Sequence, residues 1–263
     1  GSIWDRAGEG VLNRYAPDGR LLSQVNIPKG ANDQDQLALV DDLLVLLIND
    51  QLHTLSVTAP PGTTATPLDI RAQHLSYGSC AGRLAATAGQ RVFLVEPRTG
   101  QTQDVAEIPD IQAVELGPEG SVYVQSQRQV RCIRPDGAEV VAEGWPKPSP
   151  GDRMQLLDGH WYGHAWHGTI RRFSADLEAS PGVVLGGASG SFIGHLEQNS
   201  ELFYGRGMGL VRPGLFAVSG LNGILHLVEW DGTKQQMNVV RRIGAVPACK
   251  SLALDRQGRT WWF

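Results

Sequence analysis

Residues 132–141, CIRPDGAEVV, place two apolar runs on either side of Pro135-Asp136-Gly137, and residues 12–22, LNRYAPDGRLL, repeat the arrangement around Asp18. Asp-Gly between alternating runs is a strong hairpin signal, because the tight turn needs residues that tolerate positive φ. Weaker copies of the pattern surround turns at residues 59–62, 97–100, 176 and 231–232. The chain is therefore predicted to be a series of repeated hairpins.

The spacing of these turns predicts the architecture. Their centres fall near residues 18, 60, 98, 136, 176 and 231, at separations of 42, 38, 38, 40 and 55 residues. A period of about 40 residues is typical of four-stranded propeller blades. Six such turns predict an all-β fold, a six-bladed β-propeller with four antiparallel strands in each blade.

A second hairpin precedes each turn after the first, and one more ends the chain. These hairpins are Leu37–Val40 with Leu43–Ile48, Tyr77–Ala81 with Arg83–Thr87, Gln112–Leu116 with Ser121–Gln125, Met154–Leu157 with His160–Ala165, Phe192–Leu196 with Glu201–Gly205, and Lys250–Leu254 with Arg259–Phe263. One blade is therefore predicted to be closed by both termini, Ile3–Ile27 and Lys250–Phe263, which removes the exposed edges of an open sheet. The prediction is a single domain over 3–263, with Gly1-Ser2 as a tag remnant.

Composition and charge exclude several classes of protein. Glycine supplies 32 of 263 residues, about 12% against roughly 7% on average, as many tight turns require. The net charge is −4, with no basic cluster, which argues against nucleic-acid binding. The longest apolar run, Leu43–Ile48, is too short to span a membrane.

The cysteines indicate a reducing compartment. Cys80, Cys132 and Cys249 are few, odd in number and placed on three predicted blades. Blades hold such positions farther apart than the roughly 4.4 to 6.8 Å between Cα atoms that a disulfide allows. We therefore expect three unpaired, buried thiols and a cytoplasmic protein.

One blade resembles a known repeat family. Residues 251–261, SLALDRQGRTW, followed across the predicted closure by residues 10–19, GVLNRYAPDG, resemble a blade of the NHL-repeat family, as do residues 114–141. The resemblance implies a six-bladed propeller related to streptogramin-lyase-like and gluconolactonase-like proteins. It implies no particular activity, because propellers serve as binding modules, lyases, lactonases and sensor domains alike.

The motifs of the related enzymes are incomplete here. Gluconolactonase-like proteins resemble one another in an early Glu-Gly-Pro segment, but Gly8-Glu9-Gly10 has no proline, and Asn222 matches their Asn-Gly segment only loosely. His164, His195 and Glu197 supply residue types that streptogramin-lyase-like enzymes use, without a matching motif. The WD-repeat pattern is also missing, since its dipeptide occurs only at residues 4–5 and 230–231 and does not recur with the period of the blades.

Two segments combine residues able to bind metals. His160 and His164 in the aromatic segment 160–167 would share a strand face about 13 Å apart, at roughly 3.3 Å per residue, too far for one metal ion. The segment suits packing between blades or ligand recognition. Asp33 and Asp35 lie in a loop that would either be solvated or hold calcium through carboxylate and amide oxygens.

Residues 206–214 fall within the one long separation of 55 residues. Arg206 and Arg212 flank apolar residues there, so the segment is interpreted either as an insertion for partner contact or as an extra hairpin over the channel mouth.

The favoured function is a non-enzymatic binding or scaffold propeller that presents one rim to a protein or small-ligand partner. Two alternatives stay open: a metal-assisted lyase or lactonase with ligands lining the channel, and a ligand-sensing domain of a larger signalling or conflict-system protein. The binding rim is predicted from the loops between blades and between second and third strands. Its candidate residues are Trp4, Asp33, Asp35, Tyr77, Trp166, His167, His195, Arg206, Arg212 and Lys250. We expect no catalytic residue, cofactor or metal, and a monomeric domain.

Overall fold

The computed structural model describes residues 3–6, 10–16, 20–29, 36–126, 129–143, 154–157, 159–164, 170–174, 177, 183–185, 208–219, 225–231, 233, 236–243, 252–254 and 260–262. Every regular element in these ranges is a β-strand. No helix in them is long and apolar enough to cross a membrane.

The strands form sheets in which neighbours along the chain are neighbours in space. Sheet 1 holds β1 (Ile3–Arg6), β2 (Val11–Tyr15) and β3 (Leu21–Asn26). Sheet 2 holds β4 (Gln36–Val40), β5 (Leu43–Ile48), β6 (Gln51–Ser56) and β7 (Thr66–Arg71). Sheet 3 holds β8 (His74–Leu75), β9 (Leu84–Ala88), β10 (Arg91–Glu96) and β11 (Gln101–Glu107). Sheet 4 holds β12 (Ile111–Leu116), β13 (Val122–Ser126), β14 (Gln129–Ile133) and β15 (Glu139–Ala142).

The later strands repeat the arrangement. Sheet 5 holds β16 (Met154–Leu157), β17 (His160–His164), β18 (Ile170–Ser174) and β19 (Val183–Leu185). Sheet 6 holds β20 (Met208–Arg212), β21 (Leu215–Ser219), β22 (Leu225–Asp231) and β23 (Gln236–Ile243). The C-terminal hairpin pairs β24 (Leu252–Leu254) with β25 (Thr260–Trp262). The repeat of four antiparallel strands predicted from the turn spacing is thus confirmed.

Two predicted strand positions need correction. Tyr77–Ala81 does not open sheet 3, because β8 comes earlier and only an isolated bridge joins Cys80 to Arg83. Residues 208–212 are not an insertion, because they form β20, paired with β21 as the first hairpin of sheet 6. The hairpin predicted there, Phe192–Leu196 with Glu201–Gly205, lies outside the described residues.

The N-terminal strand was not predicted. β1 pairs with β2 from Ile3 opposite Tyr15 to Arg6 opposite Leu12, and β3 pairs with the other edge of β2. The closure of one blade by both termini therefore stays a prediction, as does the number of blades.

The chain divides into two compact units, residues 1–126 with 133–139, and residues 127–132 with 140–263. In the second unit, β24 lies beside β20 and β21, and β19 lies beside β23. Its buried side chains include Trp161, Phe216 and Val228.

Three apolar clusters fill the spaces between successive sheets of the first unit. Leu12 and Val25 of sheet 1 meet Leu46 of sheet 2 in one cluster, and further clusters join sheet 2 to sheet 3 and sheet 3 to sheet 4. Ala85 and Ala86 lie in different clusters, because successive residues of a strand point to opposite faces. Strands packed on both faces are continuously apolar, so the central strands show little alternation.

The described cysteines form no disulfide, as predicted. This holds for both Cys80 and Cys132. Cys132 is buried as expected, whereas Cys80 is half-buried and its thiol donates to the Pro118 carbonyl oxygen. Cys249 lies outside the described residues.

Candidate functional site

One backbone hydrogen bond recurs in the first three sheets. The amide of Ala72, just after the fourth strand of sheet 2, donates to the Asp50 carbonyl oxygen in the turn between the second and third strands, at 3.0 Å. Ile108 donates in the same way to Gln90 in sheet 3, at 2.8 Å. In sheet 1, the amide of residue 27 donates to the carbonyl oxygen of residue 10, at 3.0 Å. Connections between sheets therefore lie against these turns on one rim.

We call residues 27–29, 49–50, 71–74, 89–90 and 107–110 the connection rim. Side-chain amides join the connections at 27–29 and 72–73 to the sheets that they enter. Asn49 donates through Nδ2 to the Lys29 carbonyl oxygen at 3.2 Å, and Gly89 donates its amide to Gln73 Oε1 at 2.9 Å. The connections at 27–29 and 72–73 are thus each bonded to the sheet before and the sheet after. Such a surface needs little ordering before it binds a partner.

Local sequence explains the turns of this rim. Asn49 and Asp50 both adopt positive φ, 51° and 59°, which suits a two-residue hairpin turn and residue types that tolerate this conformation. Gly89 adopts φ of 62° at the equivalent turn of sheet 3. The turns therefore hold their carbonyl oxygens where the connections donate to them.

The surface of the connection rim is polar and carries both signs of charge. Lys29, Asp50, Arg71 and Glu107 are exposed there. Exposed charges at an interface rim influence association rate and partner choice more than affinity. The arrangement suits recognition of a macromolecular surface.

A buried carboxylate organises the segment after β8. Glu115 of β12 is 5% exposed and accepts the backbone N–H of Tyr77 at 3.0 Å and of Gly78 at 3.2 Å through Oε2. On the same edge, Leu75 donates its amide to Gln36 Oε1 of β4 at 2.6 Å. These side chains from both neighbouring sheets satisfy donors that a strand edge would otherwise leave open.

The structure places three of the predicted site residues. Tyr77 lies in the irregular segment after β8 with its side chain 41% exposed. Trp4 lies in β1 opposite Arg14. Arg212, in β20, forms an exposed ion pair from Nη2 to Glu229 Oε1 at 3.0 Å. The other candidates lie outside the described residues: Asp33, Asp35, Trp166, His167, His195, Arg206 and Lys250.

Sequence reasoning missed the residues that hold this region together, Gln36, Asn49, Gln73 and Glu115. The role of Glu115 was predictable from the sequence, because it interrupts the apolar strand IQAVEL. A carboxylate buried at that position needs hydrogen-bond donors. The roles of the amide side chains were not predictable, because glutamine and asparagine are ordinary residues in loops.

Few described residues suit metal or acid–base chemistry. Within the described ranges, no three His, Cys, Asp or Glu side chains are grouped as metal ligands. His53 of β6 is buried, and burial lowers the pKa of its imidazole below 6.5. Its Nδ1 has no hydrogen-bond partner among the described residues, which suits a neutral side chain in the packing between sheets.

The solved structures to which the chain is similar include WD40 propeller domains. The chain is similar to U3-55K at 13% identity, covering 98% of this chain and 82% of that chain with a TM-score of 0.71. It is similar to the RRP9 WD40 repeats at 14% identity, covering 98% and 81% with a TM-score of 0.68. The WD40 β-propeller domain of Doa1 matches at 12% identity, covering 98% and 84% with a TM-score of 0.68.

The chain is a β-propeller. The sequence matches no protein-family model and no curated protein. Identities this low show the propeller fold alone, so the resemblance to NHL-repeat blades stays a prediction. The propeller neighbours include WD40 domains although the WD dipeptide occurs only twice here, in β1 and at the end of β22.

Proposed function

We propose that this propeller is a non-enzymatic scaffold that binds a protein partner through its connection rim. The observation that carries the proposal is the recurring bond between connection and turn, which fixes the rim in the first three sheets. Similarity to WD40 propellers supports the same class of function, because many propellers present loops on a rigid scaffold. The proposal also includes a small ligand as the partner that binds this rim.

The proposal includes the whole architecture predicted from the sequence. It assigns residues 3–263 to one monomeric domain of six blades, one of them shared between Ile3–Ile27 and Lys250–Phe263. Five four-stranded sheets support five of these blades, and β2 and β3 with β24 and β25 would supply the four strands of the sixth, with β1 as an additional strand. We also propose a cytoplasmic location, which the absence of a disulfide at Cys80 and Cys132 favours.

The alternatives have less support. A metal-assisted lyase or lactonase needs ligands that converge from several blades, and a sensor needs a ligand in the channel. No specific contact among the described residues favours either function over the scaffold.

Two double alanine variants, one on each side of the first unit, test the proposal. Arg71→Ala with Glu107→Ala removes exposed charges from the connection rim, and Arg98→Ala with Glu119→Ala removes the same types from the hairpin turns. Partners captured by wild-type protein are identified by mass spectrometry, and their affinity for each double variant is measured with purified components. We expect weaker binding by the rim variant only. Loss confined to the hairpin-turn variant contradicts the proposal.

A further inference from the structure

The strand β1 has the position of the second strand of a blade. The amide of Ile27 donates to the carbonyl oxygen of Gly10, which comes directly before β2. The equivalent acceptors in sheets 2 and 3 come directly before β6 and β10, which are the third strands of their sheets. β2 is therefore a third strand, and β1, antiparallel to it on the edge away from β3, corresponds to a second strand.

The C-terminal hairpin contains another second strand. In the second unit, β24 lies beside β20 and β21 of sheet 6, just as β12, the first strand of sheet 4, lies beside β8 and β9 of sheet 3. β24 thus has the position of a first strand, and its antiparallel partner β25 has that of a second. The sequences of the two second strands are also alike, because residues 3–4 and 260–261 each place a β-branched residue before a tryptophan.

Only one of these strands can pair with β2 at a time. β3 pairs with one edge of β2, and β1 pairs with the other from Ile3 opposite Tyr15 to Arg6 opposite Leu12. Among the described strands, sheet 1 ends at β1, which leaves an open strand edge of the kind that proteins usually cover. If β25 paired with β2 instead, β24 would come with it and the sheet would have four strands rather than three.

We propose that β1 competes with β25 for this edge of β2 and thereby controls closure of the blade. While β1 is paired, the C-terminal hairpin cannot join sheet 1. When β1 is released, the hairpin takes its place and completes the blade. β1 is thus an autoinhibitory strand built into the fold. This inference rests on the proposed closure by both termini and adds that the closure is reversible.

One substitution weakens β1 without shortening the chain. Gln24 and Asn26 of β3 form backbone hydrogen bonds away from β2, so their pairs with β2 are not hydrogen-bonded. Alternation along β2 then makes Asp5 and Asn13 a hydrogen-bonded pair between β1 and β2. Asp5→Pro removes the N–H donor of this pair, whereas Asp5→Thr keeps the donor and favours a strand, which makes it the matched control.

Hydrogen exchange followed by mass spectrometry tests the exchange of strands. Relative to Asp5→Thr, Asp5→Pro should slow amide exchange at residues 260–262 by at least about threefold, because β25 gains the edge that β1 loses. In the same way, deletion of residues 250–263 should slow exchange at residues 3–6. Slower exchange at either strand supports the proposal, and unchanged exchange at both overturns it.

Thermal unfolding distinguishes this inference from the closure itself. If β1 and β25 share one edge, each single change leaves the other strand available. Asp5→Pro combined with deletion of residues 250–263 should then lower the melting temperature by at least about 4 °C more than the sum of the two separate losses. Losses that simply add would show that β1 is an independent strand and would overturn the proposal. A deletion that alone leaves the melting temperature unchanged would instead exclude the closure on which the proposal rests.

Discussion

Glu115 accepts the backbone amide of Tyr77 across two sheets, 38 positions apart in the chain. The carboxylate belongs to β12, whereas the amide belongs to the segment after β8. A second amide, that of Gly78, shares the same oxygen. A buried charge thus joins sheet 4 to sheet 3.

Replacing Glu115 should lower the free energy of unfolding. Glu115→Ala leaves two part-buried amides without this acceptor, and because a fully buried unpaired amide costs about 1–3 kcal/mol, we expect a total loss of roughly 1–3 kcal/mol in the free energy of unfolding. Glu115→Gln keeps an acceptor oxygen and should cost less. Urea denaturation measures both, and exposed Glu119→Ala serves as the control with a change within about 0.5 kcal/mol. Equal stability of Glu115→Ala and Glu119→Ala would show that the contact contributes nothing.

Gly78 is required for a different reason. A Cβ at residue 78 would lie 2.4 Å from the Leu116 carbonyl oxygen, so Gly78→Ala forces the backbone of two sheets apart. Gly137→Ala is a suitable comparison, because it has open space but adopts φ of 86° and should cost about 1 kcal/mol. In thermal unfolding, the melting temperature of Gly78→Ala should be well below that of Gly137→Ala. The reverse order would contradict this packing.

Stability should fall in mild acid because of His53. Its pKa is lowered in the folded protein, so the unfolded chain takes up the proton first as pH falls below 6.5. The stabilisation is complete above 6.5 and is lost between 6.5 and the lower pKa of the folded state. His53→Leu should flatten this part of the curve of unfolding free energy against pH. An unchanged difference between wild type and variant from pH 7.5 to 5 would exclude this role.

Thiol reactivity should separate the cysteines. Titration of the denatured, unreduced protein should find three free thiols, one each from Cys80, Cys132 and Cys249. In the native protein, half-buried Cys80 should react well before Cys132, which is 1% exposed. Mass spectrometry of labelled peptides gives the order, and faster labelling of Cys132 would contradict its burial.

Deletion of Lys250–Phe263 tests the proposed closure. If both termini complete one blade, the deletion opens the ring, exposes strand edges and lowers the melting temperature. A truncated protein that stays monomeric with an unchanged melting temperature would exclude the closure. Circular dichroism and light scattering provide these measurements.

Turn chemistry made most of the strand pattern predictable. Pro135-Asp136-Gly137 and its equivalents mark hairpins through local backbone preferences, so their spacing predicts four-stranded repeats. The segment around Tyr77 was not predictable in this way, because an acceptor from another sheet replaces strand pairing there. Residues 208–212 were misassigned because extra length before β20 hid the repeat. The rim contacts of Asn49 and Gln73 depend on tertiary proximity, which local patterns do not encode.

The two-residue connection between β7 and β8 has no spare length, because both of its residues are hydrogen-bonded. Ala72 is bonded back to Asp50 and Gln73 is bonded forward to Gly89, so an added residue would have to break one of these bonds. We therefore expect that an insertion between β7 and β8 would destabilise the protein. Among the described residues, the turn at 98–100 is attached to another sheet only through the exposed Arg98–Asp42 ion pair, so it is the better place for a fluorescent label or an affinity tag.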